Sequence, residues 1–397
     1  MSKKIYKFVF LTIPAFGHIN PMLPIMTELV NQGHKVIVYN NPEFKKIITK
    51  TGAEFRLPPI KIIMPDFKEF KDSFKIAERS LEVTKTFTPT MIEIFKKEKP
   101  DCIIHDSLSP WSKIISQHLK IPAVTLVPSM AINQSVLLKS KINTEVFFEI
   151  ISKFKRFINI YRQFNDVFNK YGIRPPSIID IFSSKEDLNI VFTSRSIQIE
   201  ESSFKSEYKF VGPSIYKRNE QSLEKKLFEN KSKKIYISLG TIYNDDINFY
   251  KTCFNVFGNT GDQIFMSIDK DIKRSDLGKI PNNFYVDEYL PQLQILKKAN
   301  LFLTHGGMNS INESLYYGVP MIVFPQMLEQ KANAYRIEEL GAGIMCKSKL
   351  TESILDKHIN IISSNNNYLN NAKKYSIILK KTGGYREATK LILDYLN

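Results

Sequence analysis

Short, continuous apolar runs recur along the chain, and longer mixed segments separate them. Phe8-Val9-Phe10-Leu11-Thr12 is the first such run, and it predicts a strand buried on both faces of a parallel sheet. A Pro/Gly loop follows, then an apolar-patterned helix from Pro21 to Gln32 that Gly33 ends, then the strand Lys35-Val36-Ile37-Val38-Tyr39. This is a βαβ unit. Ala53 to Leu57, Asp101 to His105 and Ala123 to Leu126 read as further strands, with a helix starting near Trp111 between the last two. Residues 130–175 are amphipathic and aromatic-rich with little strand character, and Asn189 to Phe192 and Phe210 to Pro213 close this half.

Residues 214–232 are polar and charged and read as a linker, after which the alternation restarts. The second set of strands is Lys234 to Ser238, Gln263 to Met266, Phe284 to Val286, Leu301 to Thr304 and Met321 to Phe324. Two alternating blocks predict an α/β protein of two facing, doubly wound, Rossmann-like parallel-sheet domains. The expected division is 1–213, the linker 214–232, 233–375, and a final helical segment 376–397 that returns to the first domain. Ligands of such sheets lie beyond the carboxyl ends of the strands, so the expected site is a cleft between the domains.

The 397 residues are enough for two domains at roughly 100–200 residues each. No apolar run approaches the ~20 residues needed to span a membrane, and the amino-terminal residues run straight into the first strand without a signal-peptide pattern. The expectation is a soluble, cytoplasmic protein. Cys102, Cys253 and Cys346 are far apart, show no metal-ligand spacing, and read as small buried apolar residues. Lys and Arg outnumber Asp and Glu by 56 to 40, a net charge of +16 that is spread along the chain rather than gathered in a patch. That spread argues against nucleic acid as a partner and leaves open a weak contact with an anionic membrane.

The segment with the most chemistry runs from Tyr289 to Gln330. The strand ending at Thr304 passes into a tight His305-Gly306-Gly307 turn, and a helix opens with Asn309 or Ser310 as its N-cap. The glycines allow a diphosphate close to the backbone, the helix N-terminus offers N–H groups, and His305 adds a donor. Glu313, one turn in, suits the hydroxyls of a ribose. In the first half, Gly17-His18-Ile19-Asn20-Pro21 follows the first strand, and Asp106 directly follows the strand read at Asp101 to His105. His18 alone would fit a loop histidine, and Asp106 an N-cap for the helix near Ser109 to Leu119. His34, His105, His118 and His358 read as structural. Asp269-Lys270-Asp271 has the spacing of an Asp-x-Asp metal motif, but it is a short signal in a polar turn.

Together these segments resemble the UDP-glycosyltransferases of the GT-B fold, in particular the bacterial macrolide-type glycosyltransferases. Tyr289–Gln330 resembles their nucleotide-sugar signature and Gly17–Pro21 their catalytic-histidine motif, and the likeness covers essentially the whole chain. The resemblance implies His18 as general base and Asp106 as its partner. It places Gly17, beside that base, among the donor-binding residues, and Thr241, in Ser238-Leu239-Gly240-Thr241, at the diphosphate. Tyr289, Leu290 and Gln292 fall at the uracil, His305, Gly307, Asn309 and Ser310 at the phosphates, Glu313 at the ribose, and Glu329 and Gln330 at the transferred sugar. It implies a UDP-sugar donor, with glucose as the hexose, and neither a cofactor nor a metal. Relatives usually carry Trp where this chain has Tyr289, so the ring stacking on the base is smaller here.

The implied reaction is an inverting transfer to a hydroxyl of a small hydrophobic acceptor such as a macrolide, flavonoid or phenolic, by a monomer or homodimer. Phe16, Phe67, Phe74, Phe147 and Phe148 are candidates for lining the acceptor pocket. Three other readings stand beside this one. An acceptor that is a membrane lipid or terpenoid would suit the basic surface. A catalytically silent nucleotide-sugar-binding protein would not need both His18 and Asp106. A dinucleotide oxidoreductase would want Gly-x-Gly-x-x-Gly after the first strand, where this chain has Ile13-Pro14-Ala15-Phe16-Gly17-His18.

Overall fold

A computed structural model describes residues 4–62, 72–218, 222–229, 231–240 and 245–397. The chain divides into two compact units, Met1–Tyr216 with Thr382–Asn397, and Lys217–Lys381. Each is built on one all-parallel sheet.

The first unit holds β1 (Lys7–Leu11), β2 (Lys35–Tyr39), β3 (Glu54–Arg56), β4 (Cys102–Asp106), β5 (Ala123–Val127), β6 (Leu188–Val191) and β7 (Tyr208–Phe210). Their order is β3-β2-β1-β4-β5-β6-β7, so the winding reverses between β1 and β4. Helices cover both faces. Phe8 and Phe10 point into one core with Ile19, Met26 and Leu29, while Val9 and Leu11 point into another with Phe87, Met91 and Trp111. Burial on both faces is why these strands are apolar at every position rather than at alternate ones.

The closing strand lies two residues earlier than the run Phe210 to Pro213 suggests. Gly212 turns the chain there with φ +81, and a Cβ on it would meet the Thr382 hydroxyl at 1.8 Å. The sequence also gave no sign of the long helix Ser73–Glu98, which carries Pro89 inside it. Helix Gly384–Leu396 returns to the first unit, where Ala388 and Ile392 join the β1 core.

The second unit holds β8 (Lys234–Ser238), β9 (Gln263–Ser267), β10 (Phe284–Asp287), β11 (Leu301–Thr304), β12 (Met321–Val323) and β13 (Gly343–Met345). The order is β10-β9-β8-β11-β12-β13, which reverses between β8 and β11. Ile235, Ile237, Ile264, Met266, Leu301 and Leu303 fill one side.

Residues of the expected linker 214–232 are held by specific contacts. The buried Ser214 hydroxyl donates to the Pro21 carbonyl at 2.8 Å in the first unit. In the second, Leu223 and the Gln294 side chain exchange two hydrogen bonds of 2.9 and 2.8 Å, and Phe228 stacks on Phe265. The three cysteines are buried and unpaired. Among the described residues no helix is long and apolar enough to cross a membrane.

Candidate active site

In each unit candidate residues rise from the carboxyl ends of the two strands where the winding reverses, the position at which doubly wound sheets leave a crevice; in the second unit others follow β10 and β12. In the first unit these strands are β1 and β4, paired with Leu11 opposite His105.

After β1 the chain turns through Pro14 into a single helical turn, Phe16–Ile19. Backbone bonds from His18 and Ile19 to the Ala15 carbonyl, each 3.0 Å, close that turn. The fully buried Ile19 anchors it to the core, while Gly17 and His18 lie on its outer side. β4 delivers Asp106, which is wholly shielded from solvent. A carboxylate so placed needs a partner on each oxygen. Oδ1 accepts the Leu108 backbone N–H at 2.8 Å, and Oδ2 lies 2.7 Å from His18 Nδ1.

That contact fixes the ring. With the Nδ1 proton facing the carboxylate, the lone pair sits on Nε2, and the imidazole keeps 20% of its surface exposed. Asp106 is not an N-cap: Ser109 occupies that position for helix Pro110–Leu119. The other histidines of this unit are engaged structurally. His34 Nδ1 accepts the Tyr6 N–H, His105 meets the Asp106 carbonyl and Glu186, and His118 meets the Tyr171 carbonyl.

In the second unit, Gly240 follows β8 and His305-Gly306-Gly307 follows β11. The His305 ring is wedged between the two strand ends. A Cβ on Gly240 would come within 2.6 Å of its Cε1, and one on Gly307 within 2.5 Å of its Nε2. Only glycine permits this approach. Burial pushes the His305 imidazole down to about 4, opposed only in part by a hydrogen bond to the Ser238 backbone, so at neutral pH the ring is uncharged. Gly306 has φ +86, and Asn333 Nδ2 pins its carbonyl at 3.0 Å.

Helix Met308–Tyr317 starts on Gly307, not on Asn309 or Ser310 as the sequence suggested, and no side chain caps it. Asn309 and Ser310 therefore lie in its first turn, where backbone N–H groups have no carbonyl within the helix. Glu313, buried one turn on, is gripped from two sides: Gln292 Nε2 donates to Oε2 at 2.6 Å, and the Arg218 guanidinium contacts Oε1.

Leu290 is buried after β10, whereas the neighbouring Tyr289 ring is 63% exposed. Glu329 is exposed in the first turn of helix Leu328–Glu339. Gln330 beside it is buried, its side-chain oxygen accepting the Gln326 N–H at 2.8 Å. Thr241 and Phe67 lie outside the described residues. Phe74 is a core residue packed against Phe157, which removes it from the acceptor candidates, while Phe16, Phe147 and Phe148 are exposed. The Asp269 carboxylate accepts the Asp271 N–H at 2.8 Å, which makes this segment a closed turn.

Sequence reasoning missed Gly240, Asn333 and Arg218. Gly240 had a usable signal, the Gly directly after a strand. The other two act across long sequence separations and carry no local signal.

Two doubly wound sheets, one ending in a buried His–Asp pair and the other in a glycine-lined turn before an uncapped helix, define the architecture of a sugar-transferring enzyme. Comparison with known proteins agrees. Residues 252–377 match the family described as erythromycin biosynthesis protein CIII-like, C-terminal domain. NDP-glycosyltransferase YjiC of Bacillus subtilis (strain 168) is 32% identical over 398 residues, covering 99% of this chain and 98% of the relative. The oleandomycin glycosyltransferase of Streptomyces antibioticus is 26% identical, covering 96% of this chain and 89% of that one. The solved structure of the kitacinnamycin glycosyltransferase matches with a TM-score of 0.86 at 24% identity over the whole of both chains. The chain belongs to the macrolide-type glycosyltransferases of the GT-B fold.

Proposed function

We propose that the protein is an inverting hexosyltransferase that moves glucose from UDP-glucose to a hydroxyl of a small, hydrophobic acceptor of macrolide, flavonoid or phenolic type. The names of the relatives support the acceptor class. The observation that carries the chemistry is the 2.7 Å contact between His18 Nδ1 and the solvent-excluded Asp106. A carboxylate in that position orients the ring and stabilises the imidazolium that forms when Nε2 takes a proton.

His18 Nε2 removes the acceptor's hydroxyl proton as the oxygen attacks the anomeric carbon from the face opposite the diphosphate. The bond from that carbon to the diphosphate oxygen breaks, and its electron pair leaves with UDP. An α-linked donor thus gives a β-glycoside. The first-turn N–H groups after Gly307 would meet the charge growing on the diphosphate. Gln292 donates its amide N–H to Glu313, so its carbonyl side is the one that would meet the uracil N3–H. Glu313 would bind the ribose, and Glu329 and Gln330 the sugar. No step needs a metal.

The test is transfer by the purified chain from UDP-glucose, with chelator present, to a panel of phenolic and macrolide acceptors, read by mass spectrometry and anomeric coupling. His18→Ala should bind UDP and lose transfer. Full turnover by that variant, an α-linked product, or loss of turnover on chelation would each defeat the reading.

One observation favours a membrane lipid or terpenoid acceptor as a second reading. Helix Asn143–Ser152 buries none of its residues, and Phe147 and Phe148 are 60% and 69% exposed. Co-sedimentation with anionic vesicles that high salt and Phe148→Ser both abolish would favour it. Equal pelleting with and without vesicles would remove it.

A further inference from the structure

We propose that Arg218 is a positioning residue of the donor site, holding the Glu313 carboxylate so that its two remaining lone-pair sites meet the 2′- and 3′-hydroxyls of the nucleotide's ribose. This rests on the reading of Glu313 as the ribose contact.

Glu313 is 3% exposed on a helix whose neighbouring residues Ile311, Asn312, Ser314 and Leu315 are also buried. A carboxylate removed from water to that extent requires a cationic partner and a full set of hydrogen bonds. Both needs are met from outside its own helix. Arg218 Nη2 contacts Oε1, and Gln292 Nε2 donates to Oε2 at 2.6 Å. Each carboxylate oxygen can accept two hydrogen bonds, so one site on each oxygen remains. A vicinal diol presents two donors side by side, which is the arrangement those two sites would receive. The planar guanidinium on one oxygen and the amide on the other prevent the carboxylate from rotating and so fix where the sites point.

Arg218 is also held by its surroundings. It is the second residue of the second unit, and its side chain is only 15% exposed. A few residues on, Leu223 is tied to Gln294 by two hydrogen bonds, on the same short helix Gln292–Leu296 that opens with Gln292. The start of the unit and the Gln292 helix thus form one rim around Glu313. A residue in a stretch that reads as linker becomes part of nucleotide recognition.

The test is calorimetric titration of the full chain with UDP and with 2′-deoxy-UDP. The unmodified protein should prefer UDP by about tenfold or more, the scale of one hydrogen bond to a charged group. Arg218→Ala should weaken UDP about tenfold and change 2′-deoxy-UDP little, so that the preference collapses. Arg218→Lys should restore part of it. In a Glu313→Gln background, Arg218→Ala should add nothing.

Equal weakening of both nucleotides by Arg218→Ala would mean a phosphate contact or a general loss of structure and would overturn the proposal. So would tighter UDP binding, which would make Arg218 a competitor of the ribose, or additive losses in the double variant. If Glu313→Gln leaves both affinities unchanged, the ribose assignment itself falls, and the Arg218 proposal falls with it. If Glu313→Gln alone collapses the preference and Arg218→Ala does not, only the Arg218 proposal is lost.

Discussion

Replacing Asp106 by Asn keeps the shape of the side chain and changes one thing, the ability to accept a hydrogen bond from His18 while accepting another from Leu108. The native carboxylate does both, at 2.7 and 2.8 Å, with no exposed surface. An amide cannot. If its oxygen stays on the Leu108 N–H, its NH2 group faces Nδ1. The ring must then turn its lone pair inward and carry its proton on Nε2, where the acceptor hydroxyl needs a base. If the amide flips, the tautomer survives, but two donors meet at Leu108, a buried conflict worth about 1–3 kcal/mol. Either way the charge that stabilises the imidazolium is gone, and a hydrogen bond to a charged group is worth about 1.5–3 kcal/mol. The two effects together correspond to about a thousandfold in kcat. The assay is initial-rate measurement of UDP release at saturating UDP-glucose and acceptor, with UDP affinity followed by calorimetry. UDP affinity should stay within about twofold, because Asp106 itself is assigned no contact with the nucleotide. His18→Ala with Asp106→Asn should be no slower than His18→Ala alone, since the pair acts as one device. An Asp106→Asn enzyme retaining more than about a tenth of its kcat would refute the dyad.

Three further outcomes follow from the second unit. The unfolded chain takes up a proton on His305 near 6.5, whereas the folded chain resists until about 4. Stability should therefore fall as pH drops through that window, by up to about 3 kcal/mol, and be fully present above it; melting curves in which His305→Asn shows the same acid slope as the native chain would contradict this. Gly306→Ala would strain a φ of +86 and press a methyl to 2.6 Å from Val323 Cγ1, costing about 1–3 kcal/mol; an unchanged melting temperature would show that the turn is looser than described. Gln330→Ala should leave UDP affinity intact and lower kcat/KM for UDP-glucose about tenfold relative to other hexose donors; an equal loss for every donor would place Gln330 in the framework rather than on the sugar.

The strands were legible because parallel strands buried on two faces write themselves as unbroken apolar runs, as Phe8 to Leu11 and Leu301 to Leu303 do. β13 was not: Gly343-Ile344-Met345 is short and opens with glycine, and only the pairing with β12 makes it a strand. Helix Ser73–Glu98 escaped notice because its apolar positions are interrupted by Thr and Lys, and Pro89 reads as a break. At the site, the His305 turn was legible but its start residue was not. A side-chain cap was the reasonable expectation for Asn309 or Ser310, and the chain instead leaves the first turn uncapped. Arg218 was invisible for a plainer reason. An arginine in a polar stretch has no periodicity to betray it, and its partner Glu313 is 95 residues away.

The placement of both candidate centres reduces to one topological fact used twice. In each sheet the first strand and the fourth lie side by side, β1 with β4 and β8 with β11, and the connections leaving them run to opposite directions along the sheet. The gap that results lies beyond those two strand ends, and the residues that follow them line it. In the first unit the gap receives an imidazole from the helical turn after the first strand and a carboxylate from the end of the fourth, 2.7 Å apart. In the second, an imidazole from the end of the fourth strand meets Gly240 and the Ser238 backbone from the first, and burial keeps that ring uncharged at neutral pH. The same slot thus holds a carboxylate-paired ring, the proposed base, in one unit and an uncharged ring in the other. What separates them is the partner, Asp106 in one case and Gly240 in the other. Giving the second ring a carboxylate, by Gly240→Asp, would not convert it into a base, because the space that an aspartate needs is already taken by the His305 ring itself.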